Sequence, residues 1–475
     1  MSLKNDIPVL IEQYKKLQPF LAHNQDLFNI YEGELLPYIL EDLKKQLSEK
    51  SYEQIKHRVP PINILIKLID KLSKIYAKPP SRAVKDGNET DQAIVDWYLE
   101  QMDLNTYMTI ANEFFNLFKA CAVEPYLENG IPKVRIVPAD RFFVYSNDPV
   151  NPTKPTHYVK CMGKINVGTE QRNLFFGYTD TEFLPFDDKG EVVTGILQKY
   201  DNANGVNIYG KIPAVYINRS RHNLIPKSDT DTIAMTKLLP VLLADANFAN
   251  MFQSFSIIYG IDVDDQDIKM APNAFWRFKS DPTKETKPHV GVIKPEVDTD
   301  KTLNLIKTLV SLWMQTRNIK PGAMGNMTVE SAASGISKVI DEMDTSEDRQ
   351  KQVSYFVSAE GELWDLIINN MHPVWMRERD FKERRAFSPK ASVTVAFPDQ
   401  KPIVDPGVVV DNEIKKLRDG IQSRRGAIKA INPDLDDKQI DALLAEISRE
   451  LTVEVQTDDG EGNQGSGDPM EGNAA

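Results

Sequence analysis

Residues 318–352 read NIKPGAMGNMTVESAASGISKVIDEMDTSEDRQKQ, and this stretch joins a loop to a long helix. Its first half consists mostly of small or flexible residues and holds one cation, Lys320. No Gly or Pro follows Gly335 within the stretch, so the pattern predicts a helix that starts near residue 334. The sequence therefore predicts a nearly neutral loop that leads directly into the start of a long helix.

The overall composition is that of a large globular protein with an excess of acidic residues. The chain has 475 residues, 41% hydrophobic and 27% charged, which is enough for several domains with cores of their own. The formal net charge is −12 and the pI is about 5.2, so a protein that grips nucleic acid with a basic surface is disfavoured. A protein through which DNA passes without being held is compatible with this charge.

The cysteine content and the N-terminal sequence indicate a protein made in a reducing cytoplasm. The two cysteines, Cys121 and Cys161, are too few for a disulfide framework and are predicted to be small buried apolar residues. The N-terminal residues lack a charged region followed by an apolar block, so we expect no signal peptide. The longest apolar runs are too short and too interrupted to span a bilayer, so no membrane partner is expected.

The first half of the chain contains two blocks with different periodicity. Residues 1–120 are predicted to be mostly helical, and residues 122–218 contain strand-like segments separated by turn-forming residues. In the helical block, the segment INILIKLIDKLSKIYA places five apolar residues on one predicted face: Ile62, Leu65, Ile66, Ile69 and Leu72. The KPP that follows ends this predicted helix.

The second half is predicted to contain three long helices. The first spans residues 230–258, the second spans residues 301–317, and the third runs from about residue 334 to residue 385. A compact segment rich in Pro, Asp and β-forming residues, 259–299, separates the first two helices. A strand and two short helices follow, and the sequence from Val453 onward has six acidic residues and no basic one, which predicts disorder.

The segment GVNIYGKI resembles the start of a phosphate-binding loop without completing it. Gly205, Gly210 and Lys211 have the spacing of that motif, but the next position should offer a hydroxyl group to Mg²⁺ and holds Ile212 instead. A strand-like sequence follows where the motif needs a helix N-terminus. A β-hairpin after the turn DNANG is therefore the favoured prediction, and nucleotide binding is disfavoured.

Other candidates for catalysis or metal binding are equally weak. The six histidines are scattered, and none has a second His or Cys at the spacing of metal ligands. The acidic runs DVDDQD and DEMDTSED are predicted to be solvated surfaces rather than divalent-cation sites. Met324 and Met327, which follow Trp313, fit core or oligomer packing better than a ligand pocket. The sequence therefore predicts no catalytic residue, no metal and no cofactor, and it favours an assembly protein over an enzyme.

Several segments, in this order, resemble the portal protein of tailed double-stranded DNA bacteriophages, of the siphovirus-like type. They include NIYEGELL, INILIKLIDKLSKIYAKPP, the long run from GKIPAVYINRSRHNLIPKSD to SFSIIYGID, and VTVAFPDQKPIVDPGVVV with the helical sequence after it. The most specific block runs from LWMQTRNIKPG to LWDLIINNM, where Ser334, Gly335 and Ile336 fall at the family's Ser-Gly-aliphatic turn. One departure is that SKVIDEMDTSEDRQKQ is acidic where the family is usually aliphatic and basic.

The resemblance implies a particular fold and division of the chain. The fold class is α+β, mainly helical, as a portal fold with a wing, a two-helix stem, a small clip, a tunnel loop and a helical crown. The implied boundaries are 1–228 for the wing, 229–258 and 300–317 for the stem helices, 259–299 for the clip, 318–334 for the tunnel loop, 335–386 for the long wing helix, 387–452 for the wing strand and crown helices, and 453–475 for the disordered acidic tail.

The resemblance also implies a function. The chain would form a dodecameric ring at one vertex of the capsid, through which DNA enters during genome packaging and leaves during ejection. The implied partners are other copies of the chain, double-stranded DNA, the large subunit of the terminase, the major capsid and scaffolding proteins, and the head–tail connector proteins. The protein would be made in the host bacterial cytoplasm and end up in the virion.

Two groups of site residues follow from the resemblance. The tunnel loop would face DNA through Lys320, Gly322, Met324, Gly325, Asn326, Met327 and Thr328. The clip would bind partners through three aromatic residues in a short segment bounded by prolines: Phe275, Trp276 and Phe278. Aromatic side chains are common anchors of protein interfaces, although packing between subunits of the ring explains these three about as well.

Two other classes of protein stay compatible with the sequence. One is a nucleotide-dependent or metal-dependent DNA-processing enzyme, which an ATPase assay on the purified protein would reveal. The other is a different ring-forming structural protein of the tail, which would lack two stem helices with a clip inserted between them.

Overall fold

The computed structural model describes residues 2–199, 204–227, 229–254, 257–261, 289–293, 299–317, 335–398, 406–432 and 437–458. The fold mixes helices and sheets and is mainly helical, as the sequence predicts. The chain divides into two compact units. The first contains Met1–Glu330 and Asp344–Asp399, and the second contains Ser331–Met343 and Gln400–Ala475.

Six helices and one strand make up the N-terminal block. They are α1 (Leu3–Tyr31), α2 (Leu35–Gln46), α3 (Glu49–Ile55), α4 (Ile64–Leu72), β1 (Ser81–Lys85), α5 (Glu89–Met102) and α6 (Leu104–Phe118). The predicted apolar face of α4 is wrong in part, because Ile62 precedes the helix and is 47% exposed. The buried face consists of Ile64, Leu65, Leu68 and Ile69, since Asn63 caps the helix and so fixes where its first turn begins.

Antiparallel strands follow, as the sequence predicts. They are β2 (Ala120–Glu128), β3 (Ile131–Pro138), β4 (Phe142–Tyr145), β5 (His157–Val167), β6 (Glu170–Tyr178) and β7 (Phe183–Asp187), then the short helix α7 (Thr194–Lys199) and β8 (Val215–Asn218). One sheet has the strand order β3-β2-β8 and the other has the order β4-β5-β6-β7. Helix α1 covers the second sheet, where its buried Leu3, Ile7 and Leu10 meet Phe175 and Phe186.

The β-hairpin predicted after DNANG is not formed by the described residues. Val206 instead makes an isolated bridge with Glu182, and β8 pairs with β2 from Ala120↔Asn218 to Val123↔Val215. The two segments of the expected hairpin thus pair with different parts of the chain and not with each other. Local turn chemistry suggests a hairpin here, but Val215–Asn218 pairs with the edge of β2 instead.

A long helix, α10 (Gly335–Asp365), packs against α5 and α6 through its second half, within one of the two large hydrophobic cores. A buried ion pair fixes it there. The Nε of Arg82 donates to Glu360 Oε2 at 2.6 Å, its Nη2 donates to Oε1 at 3.0 Å, and the Tyr76 hydroxyl donates to Oε1 at 2.6 Å. The exposed fractions of the Arg82 and Glu360 side chains are 2% and 0%, so this charge pair is withdrawn from water.

A second set of buried polar contacts joins α6 to α10. The Nδ2 atoms of Asn112 and Asn116 donate to Gln352 Oε1 at 3.2 and 3.1 Å, and the backbone N–H of Ile75 donates to Asn112 Oδ1 at 3.3 Å. Because buried polar groups are costly unless they are hydrogen-bonded, these contacts specify one position of α10 along α6.

The helical run that starts with α10 ends at Trp375, about ten residues before its predicted end at residue 385. After α10 the chain continues through a π-helical segment, Leu366–Met371, and a short helix, α11 (His372–Trp375). The guanidinium group of Arg384 donates to the carbonyl oxygens of Met376, Glu378 and Arg379 at 2.5, 2.7 and 2.6 Å. These bonds satisfy carbonyl groups that a longer helix would have paired internally, so the helix prediction through residue 385 is wrong for its last turns.

The strand predicted from KASVTVAFPD is present as β11 (Ser392–Ala396), which pairs antiparallel with β1. The second unit contains α12 (Pro406–Arg418), α13 (Arg424–Ile431) and α14 (Asp437–Asp458). The sequence predicted two helices and a disordered tail from Val453, but α14 continues through Asp458. Within the described part of the chain, no helix combines the length and apolar character that crossing a membrane requires.

Asp140, in the turn between β3 and β4, is a buried carboxylate without a close partner. Neither side-chain oxygen accepts a hydrogen bond from the described residues, and the nearest cationic atom, Arg141 Nε, lies 3.7 Å away. Burial raises the pKa of Asp140 above its ordinary value, although the nearby Arg141 charge opposes this. The folded state therefore binds this proton more tightly than the unfolded state does.

Replacing Asp140 with Asn should stabilise the protein at neutral pH by about 1–3 kcal/mol, because it removes a buried charge and keeps the shape. Because the pKa of Asp140 is higher in the folded than in the unfolded state, protonated Asp140 does not destabilise the wild type at low pH. As the pH rises through the folded-state pKa, the buried carboxylate becomes charged and the wild type loses stability. The gain of Asp140→Asn should therefore shrink at acid pH. Urea midpoints at pH 4 and 7.5 measure it, with the exposed Asp70→Asn as control. A loss of stability at pH 7.5 would contradict this account.

Candidate functional site

Two packed helices and a strand pair form the candidate site. They are α8 (Thr230–Ser254), β9 (Ile257–Ile261), β10 (His289–Ile293) and α9 (Thr299–Gln315). Strands β9 and β10 pair antiparallel from Ile257↔Ile293 to Ile261↔His289. The chain therefore leaves α8, enters the strand pair, and returns along α9, which packs against α8. We call this arrangement the helical hairpin.

The first helix of the hairpin is shorter than predicted. Helix α8 ends at Ser254, and Ile257 and Ile258 belong to β9 rather than to the predicted helix through residue 258. Both residues are β-branched and pair with Ile293 and Val292 across the strand pair. The apolar sequence continues from α8 through these residues, which is why the sequence predicts a longer helix. Pairing with the β-branched residues of β10 stabilises a strand here instead. The second helix, predicted as 301–317, occupies Thr299–Gln315.

The base of the helical hairpin is held by Arg317. Its Nη1 donates to Asp229 Oδ2 at 2.5 Å, and its Nη2 donates to Asp229 Oδ1 at 2.6 Å, Asp231 Oδ2 at 2.7 Å and Thr232 Oγ1 at 2.7 Å. Such a two-pronged contact between guanidinium and carboxylate fixes direction as well as distance. Arg317 follows α9 and Asp229 precedes α8, so this anchor ties the end of one helix to the start of the other.

The charges at the anchor are well matched. Burial alone would raise the pKa of Asp229, but the hydrogen bonds from Arg317 and the charges of Arg317 and Lys119 hold that pKa well below its usual range. Lys119 Nζ lies 3.5 Å from Asp229 Oδ2. Asp229 thus stays ionised throughout the physiological pH range, and the base of the hairpin does not loosen with ordinary changes in pH.

A cavity of about 540 Å³ lies beside the anchor. Its lining combines the apolar side of α4 with charged and polar groups of both signs, among them Lys119, Asp229 and Arg317. The Arg317 and Asp229 charges are already paired with one another. The charged residues that line the cavity therefore serve to hold the base of the hairpin. The cavity does not resemble a binding site for an anion or a cation.

Each helix of the hairpin has one face in the core and apolar residues on another face. On α9 the core face contains Ile306, Val310, Trp313 and Met314, whereas Leu305 and Leu312 are 55% and 54% exposed. Leu305 and Leu312 are seven residues apart and so lie on the same side of the helix. On α8, Leu238 is 43% exposed. These leucines give the isolated chain apolar surface on both helices.

The predicted site residues lie outside the described residues. This applies to the loop residues Lys320, Gly322, Met324, Gly325, Asn326, Met327 and Thr328. It applies equally to the clip residues Phe275, Trp276 and Phe278. The structure describes the residues on either side of these segments. Arg317 precedes residues 318–334, α10 begins after them at Gly335, and β9 and β10 precede and follow the segment with the aromatic residues.

The rejected candidates occupy structural positions. Lys211 Nζ forms an ion pair with Asp365 Oδ2 at 2.7 Å, and the chain after it enters β8. His157 contacts Asp6 through Nε2 at 3.1 Å, and His372 is hydrogen-bonded to the Tyr98 hydroxyl through Nδ1 at 2.8 Å. Burial lowers the pKa of both histidines. Among the described residues, no group of three or more His, Cys, Asp or Glu could hold a metal ion.

The Arg317 anchor is the feature that sequence analysis missed. Asp229 and Arg317 are 88 positions apart, so local periodicity could not pair them. A weak signal was available, because each charge sits directly beside the end of a predicted helix, and the two helices were expected to be neighbours.

Comparisons with known proteins give weak similarities. No family model matches the chain, and no curated protein matches it. A chain in the solved structure of the neck of an empty gene transfer agent (GTA) particle is similar at 12% identity and a TM-score of 0.35, over 76% of this chain and 87% of that one. A chain in the virion of a native gene transfer agent particle is similar at 12% identity and a TM-score of 0.33, over 76% of this chain and 86% of that one.

Proposed function

We propose that the chain is the portal subunit of a tailed bacteriophage, which assembles into a dodecameric ring and serves as the conduit for double-stranded DNA. The observation that carries this proposal is the helical hairpin, in which two packed helices flank an inserted strand pair, and the sequence after the second helix is rich in small residues. This order agrees with the stem, clip and tunnel loop that the sequence resemblance implies.

The exposed leucines support a ring in particular. A ring is built from a head-to-tail interface that closes on itself, so each subunit must present two different surfaces. The exposed side of α9, with Leu305 and Leu312, differs from that of α8, with Leu238. In the proposed ring, α9 of one copy meets α8 of the next, and the apolar surface of both helices is buried.

The proposal assigns roles to the segments attached to the hairpin. The strand pair β9–β10 begins the clip, and the residues between these strands, including Trp276, dock the terminase large subunit and later the head–tail connectors. Residues 318–334 form the tunnel loop, with Lys320 as its cation. The remaining partners are the major capsid and scaffolding proteins, and the assembled ring resides at the capsid vertex in the virion. This role requires no catalytic residue and no cofactor.

The acidic composition suits a conduit. A phosphate contact repeated around a ring gains strength through multivalency and would stall DNA that has to slide. A loop of Gly, Ala, Met and Asn with one lysine avoids this, because it offers enough positive charge to centre the duplex and too little to hold it.

Replacing Lys320 with Glu should reduce the length of DNA packaged into particles while leaving ring assembly intact. The change places a ring of negative charge around the duplex, and a single pair of charges at about 4 Å is worth only about 1 kcal/mol in water, so the effect depends on repetition. Packaged DNA length is measured by gel electrophoresis of DNA extracted from the particles. The control is Lys307→Glu, the same charge reversal at an exposed position of α9 that does not share the side of Leu305 and Leu312. If particles with Lys320→Glu package DNA of the same length as the wild type, residues 318–334 are not the tunnel loop.

A further inference from the structure

The turn between α12 and α13 is strongly basic in an otherwise acidic protein. Between residues 415 and 429 one acidic side chain, Asp419, stands among six cationic ones. The formal net charge of the whole chain is −12. We call this segment the basic turn, and its cationic residues are Lys415, Lys416, Arg418, Arg424, Arg425 and Lys429.

The charges of the basic turn are exposed and incompletely neutralised. All six cationic residues are exposed. Lys416 pairs with Glu413 at 2.6 Å, and Arg425 contacts Asp441 at 3.4 Å. Lys415, Arg418 and Arg424 form no ion pair with any other residue that the structure describes. Lys415 and Arg418 lie three positions apart on one helix, where like charges repel. The surface therefore favours an anionic occupant.

The backbone presents these charges in a fixed arrangement. Gly420 has a φ of 70°, which glycine adopts without strain, and the Ser423 side chain caps α13 by accepting a hydrogen bond from the Gly426 N–H. At the tip of the turn, Ile421 is 75% exposed. An occupant of this surface would meet cations on both sides of an apolar side chain.

We propose that the acidic residues 459–475 of this chain occupy the basic turn. This segment carries Asp459, Glu461, Asp468 and Glu471, has no basic residue, and contains glycine at five positions. Its charge thus complements the basic turn, and its glycines let it follow an irregular surface.

Chain length permits the segment to fold back. Helix α14 has 22 residues and so is roughly 33 Å long. It begins close to α13, because Asp441 contacts Arg425. The 17 residues after Asp458 reach roughly 55–60 Å when extended, which exceeds the length of α14. Because the segment is tethered, its effective concentration at the basic turn is about millimolar. A modest affinity is therefore enough to keep the segment bound there.

The consequence is that the acidic segment screens this surface from other polyanions, above all from the phosphates of DNA. The inference stands independently of the proposed function, because it uses the charges and geometry of the second unit alone. Its tests therefore can fail or succeed whether or not the chain forms a portal ring.

The first test is zero-length cross-linking of the full-length chain with a carbodiimide, followed by mass spectrometry of peptides. We expect amide bonds from Glu461, Asp468 or Glu471 to Lys415 or Lys429. Their yield should fall at least about fivefold in 1 M salt, where the screening length is only about 3 Å. Cross-links spread evenly over exposed lysines such as Lys67 and Lys390, or no cross-links from the segment, would overturn the proposal.

A charge-swap variant makes this test specific. Lys415→Glu, Arg418→Glu and Arg424→Glu together should abolish the cross-links to Lys429. Adding Glu461→Lys, Asp468→Lys and Glu471→Lys should restore cross-links between the two segments, now with the chemical roles exchanged. Failure of the swapped pair to cross-link, in a chain with wild-type circular dichroism, would contradict an electrostatic contact.

The second test measures binding of a short DNA duplex by fluorescence anisotropy. A full-length variant with Asp459→Asn, Glu461→Gln, Asp468→Asn and Glu471→Gln should bind about tenfold more tightly than the wild type. The binding should weaken steeply with salt. Equal binding by both proteins that is lost with Arg418→Glu would show that the basic turn is already open to nucleic acid, and the proposal would be wrong.

Discussion

Glu360→Gln should lower the free energy of unfolding by about 3–5 kcal/mol, because it leaves the buried guanidinium group of Arg82 without its counter-ion. That is a large part of the stability of a typical domain, about 5–15 kcal/mol. The carboxylate accepts two hydrogen bonds from Arg82 and one from the Tyr76 hydroxyl, and its side chain is fully buried. Urea denaturation followed by circular dichroism measures the loss.

Two controls separate this effect from a general loss of charge. Glu41→Gln removes a carboxylate whose ion pair with Lys45 is about two-thirds exposed on both sides, and it should cost no more than about 1 kcal/mol. The double variant Arg82→Met with Glu360→Leu removes both buried charges and should be more stable than either single variant. A double variant less stable than both single variants would show that the pair contributes more than charge compensation.

Leu305→Glu combined with Leu312→Glu should stop ring assembly and leave the chain monomeric. Burying the exposed half of each leucine contributes about 1 kcal/mol per interface, and the glutamates add the cost of withdrawing a charge from water. Both positions are more than half exposed in the isolated chain, so folding should be nearly unaffected. Sedimentation velocity measures the assembly state.

The matched control for this variant is Lys307→Glu, which makes the same change in net charge at an exposed position elsewhere on α9. It should assemble as the wild type does. Rings that persist in the Leu305→Glu and Leu312→Glu variant would show that the exposed side of α9 is not the interface.

The sequence predicts the elements of the helical hairpin well, because their signals are local. The long apolar sequence of α8, the apolar periodicity of α9 and the β-forming composition between them are each visible within a window of about twenty residues. The error at Ile257 and Ile258 arises because two β-branched residues after an apolar helix fit a strand as well as another helical turn. Their partners in β10 decide the matter, and these lie more than thirty residues away.

Contacts that hold the elements together could not be predicted in the same way. The Arg317–Asp229 anchor, the Arg82–Glu360 pair and the β2–β8 pairing join residues far apart in sequence. A single sequence carries no signal that pairs one charge among 69 acidic residues with one among 57 basic residues. The helix end at Trp375 likewise depends on Arg384, which folds back onto carbonyl groups. Local propensity specifies the elements here, and tertiary contacts fix their ends.

The ring is the central claim, and electron microscopy of the purified full-length chain tests it most directly. Class averages in end-on view should show closed rings of uniform subunit number around a central channel wide enough to admit a DNA duplex. Particles no larger than monomers or dimers, at every protein and salt concentration tried, would contradict the proposed function.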